Sequence, residues 1–185
     1  MPPIAELVES CPAELLPEER WILYSIVRGL QPKRCLEIGT LHGGSALLTV
    51  AALDEIGAGT LICVDDCPRI SAENWALLQH RVVLKEGKSA DVLATLAGEQ
   101  FDFAFVDGDH STQGAATDLE LIIPMMSPGA YIACHDSHNE PVRAAIDAVL
   151  SRHPKMLDCG TLTMTKAWDP DRTLAWGGIR LLRII

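Results

Sequence analysis

The feature that most restricts this chain is an alternation. Short aliphatic and β-branched runs recur at RCLEI (34–38), TLICVD (60–65), RVVLK (81–85), FDFAFVD (101–107) and AYIACHD (130–136). Segments with helical patterning separate and follow them, near 43–56, 71–80, 89–97, 112–123 and 140–152. A strand reached through a helix runs parallel to its predecessor, so the pattern predicts an α/β fold with a mostly parallel sheet covered by helices. Near residue 155 the pattern changes. The runs KMLDCGTLTMT and TLAWGGIRLLRI have no helix between them, and WDPDR supplies turn residues. They are expected to form an antiparallel pair that completes a seven-stranded sheet. Ahead of the first strand, PEERWILYSIVRGL (17–30) opens on Pro and two acids and ends near Gly29, the marks of an entry helix. We expect residues 1–185 to form a single domain, with 1–30 as entry segment and helix.

Charge removes some partners. Fifteen Lys and Arg against 25 Asp and Glu leave a formal charge of -10, which repels a phosphate backbone, so nucleic acid is not an expected partner. The opening MPPIAELVES carries acids and no basic stretch before an apolar run, the wrong order for a secretion signal. No run approaches the ~20 apolar residues of a membrane span. The expectation is a cytoplasmic protein with no membrane association, its six scattered cysteines reduced.

In open sheets of this kind ligands bind beyond the carboxyl ends of the strands, near the point where strand order reverses. The first such end is CLEIGTLHGGSALL (35–48), where Gly39 permits a tight turn and Gly43 and Gly44 let backbone approach a ligand at a helix start. The second strand ends in Asp65, where nucleotide-binding sheets hold a ribose hydroxyl. A dinucleotide would ask for G-x-G-x-x-G. This chain has G-T-L-H-G-G, without the second glycine that makes room for a pyrophosphate.

Taken in order, LEIGTLHGGS, VD, FVDGDHS, PGAYI and HD resemble the class I S-adenosylmethionine-dependent methyltransferases, and within them the small O-methyltransferase-like group with a DGDH motif. The resemblance covers roughly residues 18–183 and implies a Rossmann-like sandwich, S-adenosylmethionine (SAM) as cofactor and methylation of a small-molecule hydroxyl. It places Glu37 near the methionine amino group with Gly39 and Thr40 beside it. Gly43, Gly44 and Ser45 fall at the methionine carboxylate, Asp65 at the ribose and Ser89 toward the adenine. An ammonium wants a carboxylate, a carboxylate wants N–H donors at a helix start, and a vicinal diol wants a bidentate acceptor, so each role suits its residue.

The tip of the fourth strand carries the chemistry. A hydroxyl must lose its proton to attack a sulfonium methyl, through a general base or with a metal. Asp107 matches an aspartate that ligates magnesium in catechol-type relatives, whose D-x-x-K motif becomes D-x-x-H here, with His110 in the lysine's place. His110 and Asp107 are the catalytic candidates. His110 is read as a base with the ordinary histidine pKa near ~6.5. Asp107, His135 and Asp136 are the candidate ligands of a divalent metal. A histidine among carboxylates suits Mn, Fe or Zn better than Mg. Asp107 and Asp109 can equally be a strand-end acid and a helix cap, and Asp118 and His138 are expected to be solvated. Trp75 is a candidate flank for the adenine. A zinc site built from Cys63, Cys67, His135 and His138 is excluded if the second and fifth strands are separated by the first and fourth. The chain lacks a long insertion to act as a lid, so the segment before residue 30 or a second copy in a homo-oligomer must close the cleft. Two rival readings stand beside the methyltransferase: a nicotinamide-nucleotide oxidoreductase, and a non-catalytic module that binds SAM or a nucleotide.

Overall fold

The structure is a computed structural model that describes residues 2–185. Two helices come first, α1 (Ile4–Ser10) and α2 (Pro17–Leu30). Then strands β1 (Arg34–Ile38), β2 (Thr60–Asp65), β3 (Val82–Glu86), β4 (Phe101–Val106) and β5 (Met126–Cys134) alternate with α3 (Gly44–Ile56), α4 (Ala72–Leu78), α5 (Ser89–Thr95) and α6 (Thr112–Ile122). Helix α7 (Glu140–Arg152) and strands β6 (Met156–Thr161), β7 (Ala167–Trp168), β8 (Ala175–Trp176) and β9 (Arg180–Ile184) complete the chain.

The main sheet has seven strands in the order β3-β2-β1-β4-β5-β9-β6. The first five are mutually parallel, and β9 lies antiparallel between β5 and β6. The expected antiparallel end pair is therefore present, with one difference. Its two strands are not joined by the WDPDR turn. Residues 167–168 and 175–176 form a separate two-stranded ribbon around that turn. The cause is local, since the Asp169 carboxylate accepts hydrogen bonds from the Thr173 amide and hydroxyl and closes the turn four residues long on itself.

Alternation along the strands fills both faces. Cys35, Phe103 and Phe105 point into a core formed with α1, α2 and α3, while Leu36, Ile38, Ala104 and Val106 point into a second core under α5, α6 and α7. The phenylalanines are essentially unexposed, and each such burial is worth about 1.5–3 kcal/mol. Helix α3 is buried along Gly44–Leu53, as its apolar composition all round demands. Strand order reverses between β1 and β4, which places the carboxyl ends of both at one opening. Strands β2 and β5 are separated by β1 and β4, as the argument against a zinc site requires. Among the described residues no helix is long and apolar enough to cross a membrane.

Candidate active site at the carboxyl ends of β1, β4 and β5

A cleft of about 1080 Å³ lies above these strand ends. Its lining includes Gly39, Thr40, Gly44, Ser45, Asp65, Ser89, Asp107, His110, His135 and Asp136. Of the sequence-predicted site residues, Glu37 lies just beneath this floor on β1, and Gly43 caps α3 beside it.

The half beside β1 and β2 is built from backbone. Gly39 has φ +85°, and a Cβ there would stand 2.0 Å from the carbonyl oxygen of Asp107, so only glycine lets the β1 and β4 turns touch. Glu37 is fully buried, its Oε1 meeting only the Cys63 thiol at 3.7 Å and its Oε2 having no partner; Thr40 Oγ1 beside it is also unpartnered. Burial pushes the Glu37 carboxyl up to about 8. A buried acid with a bare oxygen calls for a cationic or donor group. Asp65 is already at work in the turn: Oδ2 accepts the amides of Thr40 and Leu41, both at 2.7 Å, and Oδ1 accepts that of Cys67 at 2.8 Å. Oδ1 keeps a lone pair for a ligand hydroxyl.

At the far end Ser89 Oγ donates to Asp118 Oδ1 at 2.5 Å. Asp118 was expected in solvent. It is buried, at 3% exposure, because α6 packs against the start of α5 and the β4 turn. His138, also expected in solvent, is half-buried against the Thr163 carbonyl at 2.9 Å. Trp75 packs on the first core through α4 and is not among the cleft's lining residues. Asp109 does accept the Ser111 amide at 2.7 Å, the turn-capping role open to it.

The half beside β4 and β5 holds the titratable groups. His110 Nε2 lies 2.9 Å from Asp136 Oδ2 and 3.4 Å from Asp107 Oδ1. His135 Nδ1 lies 3.0 Å from Asp107 Oδ1 and 3.5 Å from Asp136 Oδ2. Hydrogen bonds to the two carboxylates push His110 up to about 10, which corrects the expectation of an ordinary histidine. Set between two carboxylates, His110 favours its protonated form. His135 is held well above its usual range: burial opposes its charge, but Asp107, Asp136 and Glu19 outweigh it. Burial raises Asp107 and Asp136, but the histidines more than offset it and hold both low. One donor atom each from Asp107, His110 and Asp136 lies within 4.8 Å of the others, a spread a small cation could span.

Two residues of this centre, Glu19 and Arg20, are absent from the sequence reading. Glu19, in the first turn of α2, is fully buried and its Oε2 accepts His135 Nε2 at 3.0 Å. The signal was there, since Glu19, Leu23 and Val27 share one buried helical stripe, and an acid on an apolar stripe needs a partner. Trp176, on the ribbon, stands edge-on to His110 with ring centroids 5.4 Å apart. Arg20 donates to the carbonyls of Val8, Ala13 and Leu15 at 2.8, 2.8 and 2.9 Å and fixes the segment that walls the cleft. That segment sits hard on α3, since a Cβ on Gly44 would come within 2.2 Å of the Ala13 amide.

Comparison with known proteins bears on this geometry. A family model described as a methyltransferase domain matches residues 36–137. Caffeoyl-CoA O-methyltransferase 1 of Zea mays is 30% identical over 169 residues, covering 83% of this chain and 62% of that protein. Rhamnosyl O-methyltransferase of Mycobacterium tuberculosis (strain ATCC 25618 / H37Rv) is 26% identical over 127 residues, 65% of this chain and 52% of its own. The chain thus spans about half the length of the mycobacterial relatives it matches. Among solved structures, a putative O-methyltransferase from Klebsiella pneumoniae superposes with a TM-score of 0.74 at 23% identity, covering 100% of this chain and 90% of that one. The O-methyltransferase from Bacillus cereus in complex with SAH gives 0.72 at 20% identity, covering 98% and 90%.

Proposed function

The chain belongs to the methyltransferase-domain family, and from that premise we propose that it transfers the methyl group of SAM to a hydroxyl of a small-molecule acceptor. The observation that carries this is the buried, half-unpartnered Glu37 at the cleft floor. A carboxyl pushed up to about 8 is a poor acid in isolation and a good partner for an ammonium, whose charge returns it to the ionised form. Gly44 and Ser45, at the start of α3, offer N–H donors to a carboxylate two bonds from that ammonium, while the Gly43 amide is taken by the Thr40 carbonyl at 2.7 Å and shapes the turn. Asp65 Oδ1 takes a ribose hydroxyl, and the Ser89 end of the cleft takes the base. A nicotinamide dinucleotide has no amino-acid moiety to use Glu37. The two O-methyltransferase names among the relatives favour oxygen as the acceptor.

When bound, SAM supplies a methyl on a positive sulfur. The chain's part is to hold that methyl in line with the acceptor oxygen and to manage the oxygen's proton. We propose that Asp107, His110 and Asp136 would hold a divalent metal, with His135 Nδ1, 3.0 Å from Asp107 Oδ1, as a further nitrogen beside them, a mixed set that fits Mn, Fe or Zn better than Mg. When bound, such an ion supplies a Lewis acid that lowers the pKa of a hydroxyl. His110 would have to give up its Nε2 proton to serve as a ligand, so it would then act by holding the ion and not as the base. Trp176 and the walls set by Arg20 bound this end of the cleft. The oligomeric state and the single-domain reading of 1–185 belong to the same proposal. Incubation with methyl-labelled SAM and a panel of phenolic and sugar hydroxyls tests it. S-adenosylhomocysteine (SAH) and methyl ether should form together. A chain that binds neither SAM nor SAH by calorimetry overturns the reading.

A further inference from the structure

Glu19 is an expensive residue to bury. An ionised carboxylate with no exposure costs several kcal/mol unless its lone pairs are filled, and an apolar side chain would pack here without that cost. Four donors fill them. Oε2 accepts the Leu16 amide at 2.9 Å and His135 Nε2 at 3.0 Å; Oε1 accepts the Gly178 amide and Thr163 Oγ1, the latter at 3.3 Å. The glycines that allow this are strained for any other residue. Gly177 and Gly178 have φ +84° and +92°, and a Cβ on Gly177 would stand 2.9 Å from Glu19 Oε1. The entry helix, the end of β5 and the approach to β9 therefore meet on one side chain.

We propose that Glu19 is a positioning residue for the transfer: it accepts a hydrogen bond from His135 Nε2–H and so turns Nδ1 toward Asp107 and Asp136. This rests on the methyltransferase reading above. An imidazole that donates from one nitrogen to a carboxylate has the other fixed in direction and tautomer, the arrangement that orients histidines at reacting centres. His135 Nδ1 is the atom that reaches Asp107 Oδ1 at 3.0 Å, and Asp107 Oδ1 is in turn the oxygen that faces His110. Without Glu19 the ring has no second anchor. Glutamine is a poor replacement, because its NH2 would face a backbone N–H, that of Leu16 on one side or of Gly178 on the other.

The test uses Glu19→Gln and Glu19→Asp in the full chain. SAH affinity by calorimetry should stay within about threefold, while kcat and Mn(II) affinity by electron paramagnetic resonance fall about 10- to 100-fold in Glu19→Gln, with partial recovery in Glu19→Asp. KM for SAM should move little, which a general loosening of the cleft would not allow. Nitrogen-15 spectra of the wild-type His135 ring should show a proton on Nε2. A folded Glu19→Gln with wild-type kcat, or a wild-type ring with bare Nε2, overturns the proposal. If Glu19→Gln does not fold, the wild-type spectrum alone decides the contact. Absence of SAH binding to the wild type strikes the methyltransferase reading, and the ring spectrum still decides whether Glu19 holds His135.

Discussion

His110 Nε2 stands 2.9 Å from Asp136 Oδ2, joining the start of α6 to the end of β5 across the mouth of the cleft. Because the bonded carboxylates raise the His110 pKa from 6.5 to about 10, its contribution to metal-free stability is fully present below about pH 6.5. It is lost as pH rises through about 10. His110→Ala should therefore lower the melting temperature of chelator-treated protein more at pH 6 than at pH 10.5. A constant difference across that range would show that the histidine is not held as a cation.

Metal dependence follows from the same cluster. Treatment with a chelator should abolish methyl transfer, and adding back Mn, Fe or Zn should restore it, with SAH affinity changed by less than threefold. Elemental analysis of purified protein checks the ion directly. Turnover that survives exhaustive chelation, or a preparation without metal that works at full rate, refutes the shared-ion arrangement of Asp107 and Asp136.

For the cofactor half, Asp65→Ala removes both the ribose acceptor and the brace on the Thr40 and Leu41 amides. Charge-assisted hydrogen bonds worth about 1.5–3 kcal/mol translate into SAH binding weakened roughly 10- to 100-fold. Calorimetric titration measures it, and an unchanged dissociation constant would remove Asp65 from the site.

Gly39 and Gly57 form an internal control. Both have positive φ, +85° and +79°, but a Cβ on Gly57 meets nothing within 4 Å while one on Gly39 meets the Asp107 carbonyl at 2.0 Å. Gly57→Ala should cost about 1–2 kcal/mol from the left-handed backbone alone. Gly39→Ala should cost more and should also displace Asp107, abolishing turnover. Denaturant midpoints and activity measured side by side separate conformational strain from crowding; equal costs would show the β1 and β4 turns to be less tightly apposed.

Arg20→Ala tests the cleft wall. Losing its bonds to the Val8, Ala13 and Leu15 carbonyls should free the segment before α2 and weaken SAH binding by about tenfold, or ~1.4 kcal/mol. Faster proteolysis between residues 8 and 16 should accompany it. Unaltered affinity with unaltered proteolysis would mean that this segment is held by packing alone.

The order of the strands was legible because helix and strand periods differ, and because TLICVD or FDFAFV can be nothing but buried β. The strand-end residues from Glu37 to Asp136 were legible for the same reason, since the sheet fixes where a strand stops. What was not legible lies outside that logic. Asp118 reads as one more helical acid, and only the packing of α6 on α5 buries it. The independent ribbon around Asp169 depends on a side chain closing its own turn, which competes with the long hairpin the sequence suggests. Glu19 sits among other acids at a helix start, where a solvated role is the default, and its partners are 116 and 159 positions away.

That separation has a consequence for how the molecule is made. Synthesis runs from the amino end, so α2 leaves the ribosome while His135 and Gly178 are still untranslated. Until they arrive, Glu19 has only the Leu16 amide to satisfy it and remains hydrated, holding the apolar stripe of Leu23 and Val27 in reserve. The reacting centre is therefore among the last parts to close, its contacts being of the long-range kind that form slowly. A nascent chain stalled before residue 177 would carry every strand of the parallel sheet, and His135 with it, and still lack the Gly178 amide that completes the shell around Glu19.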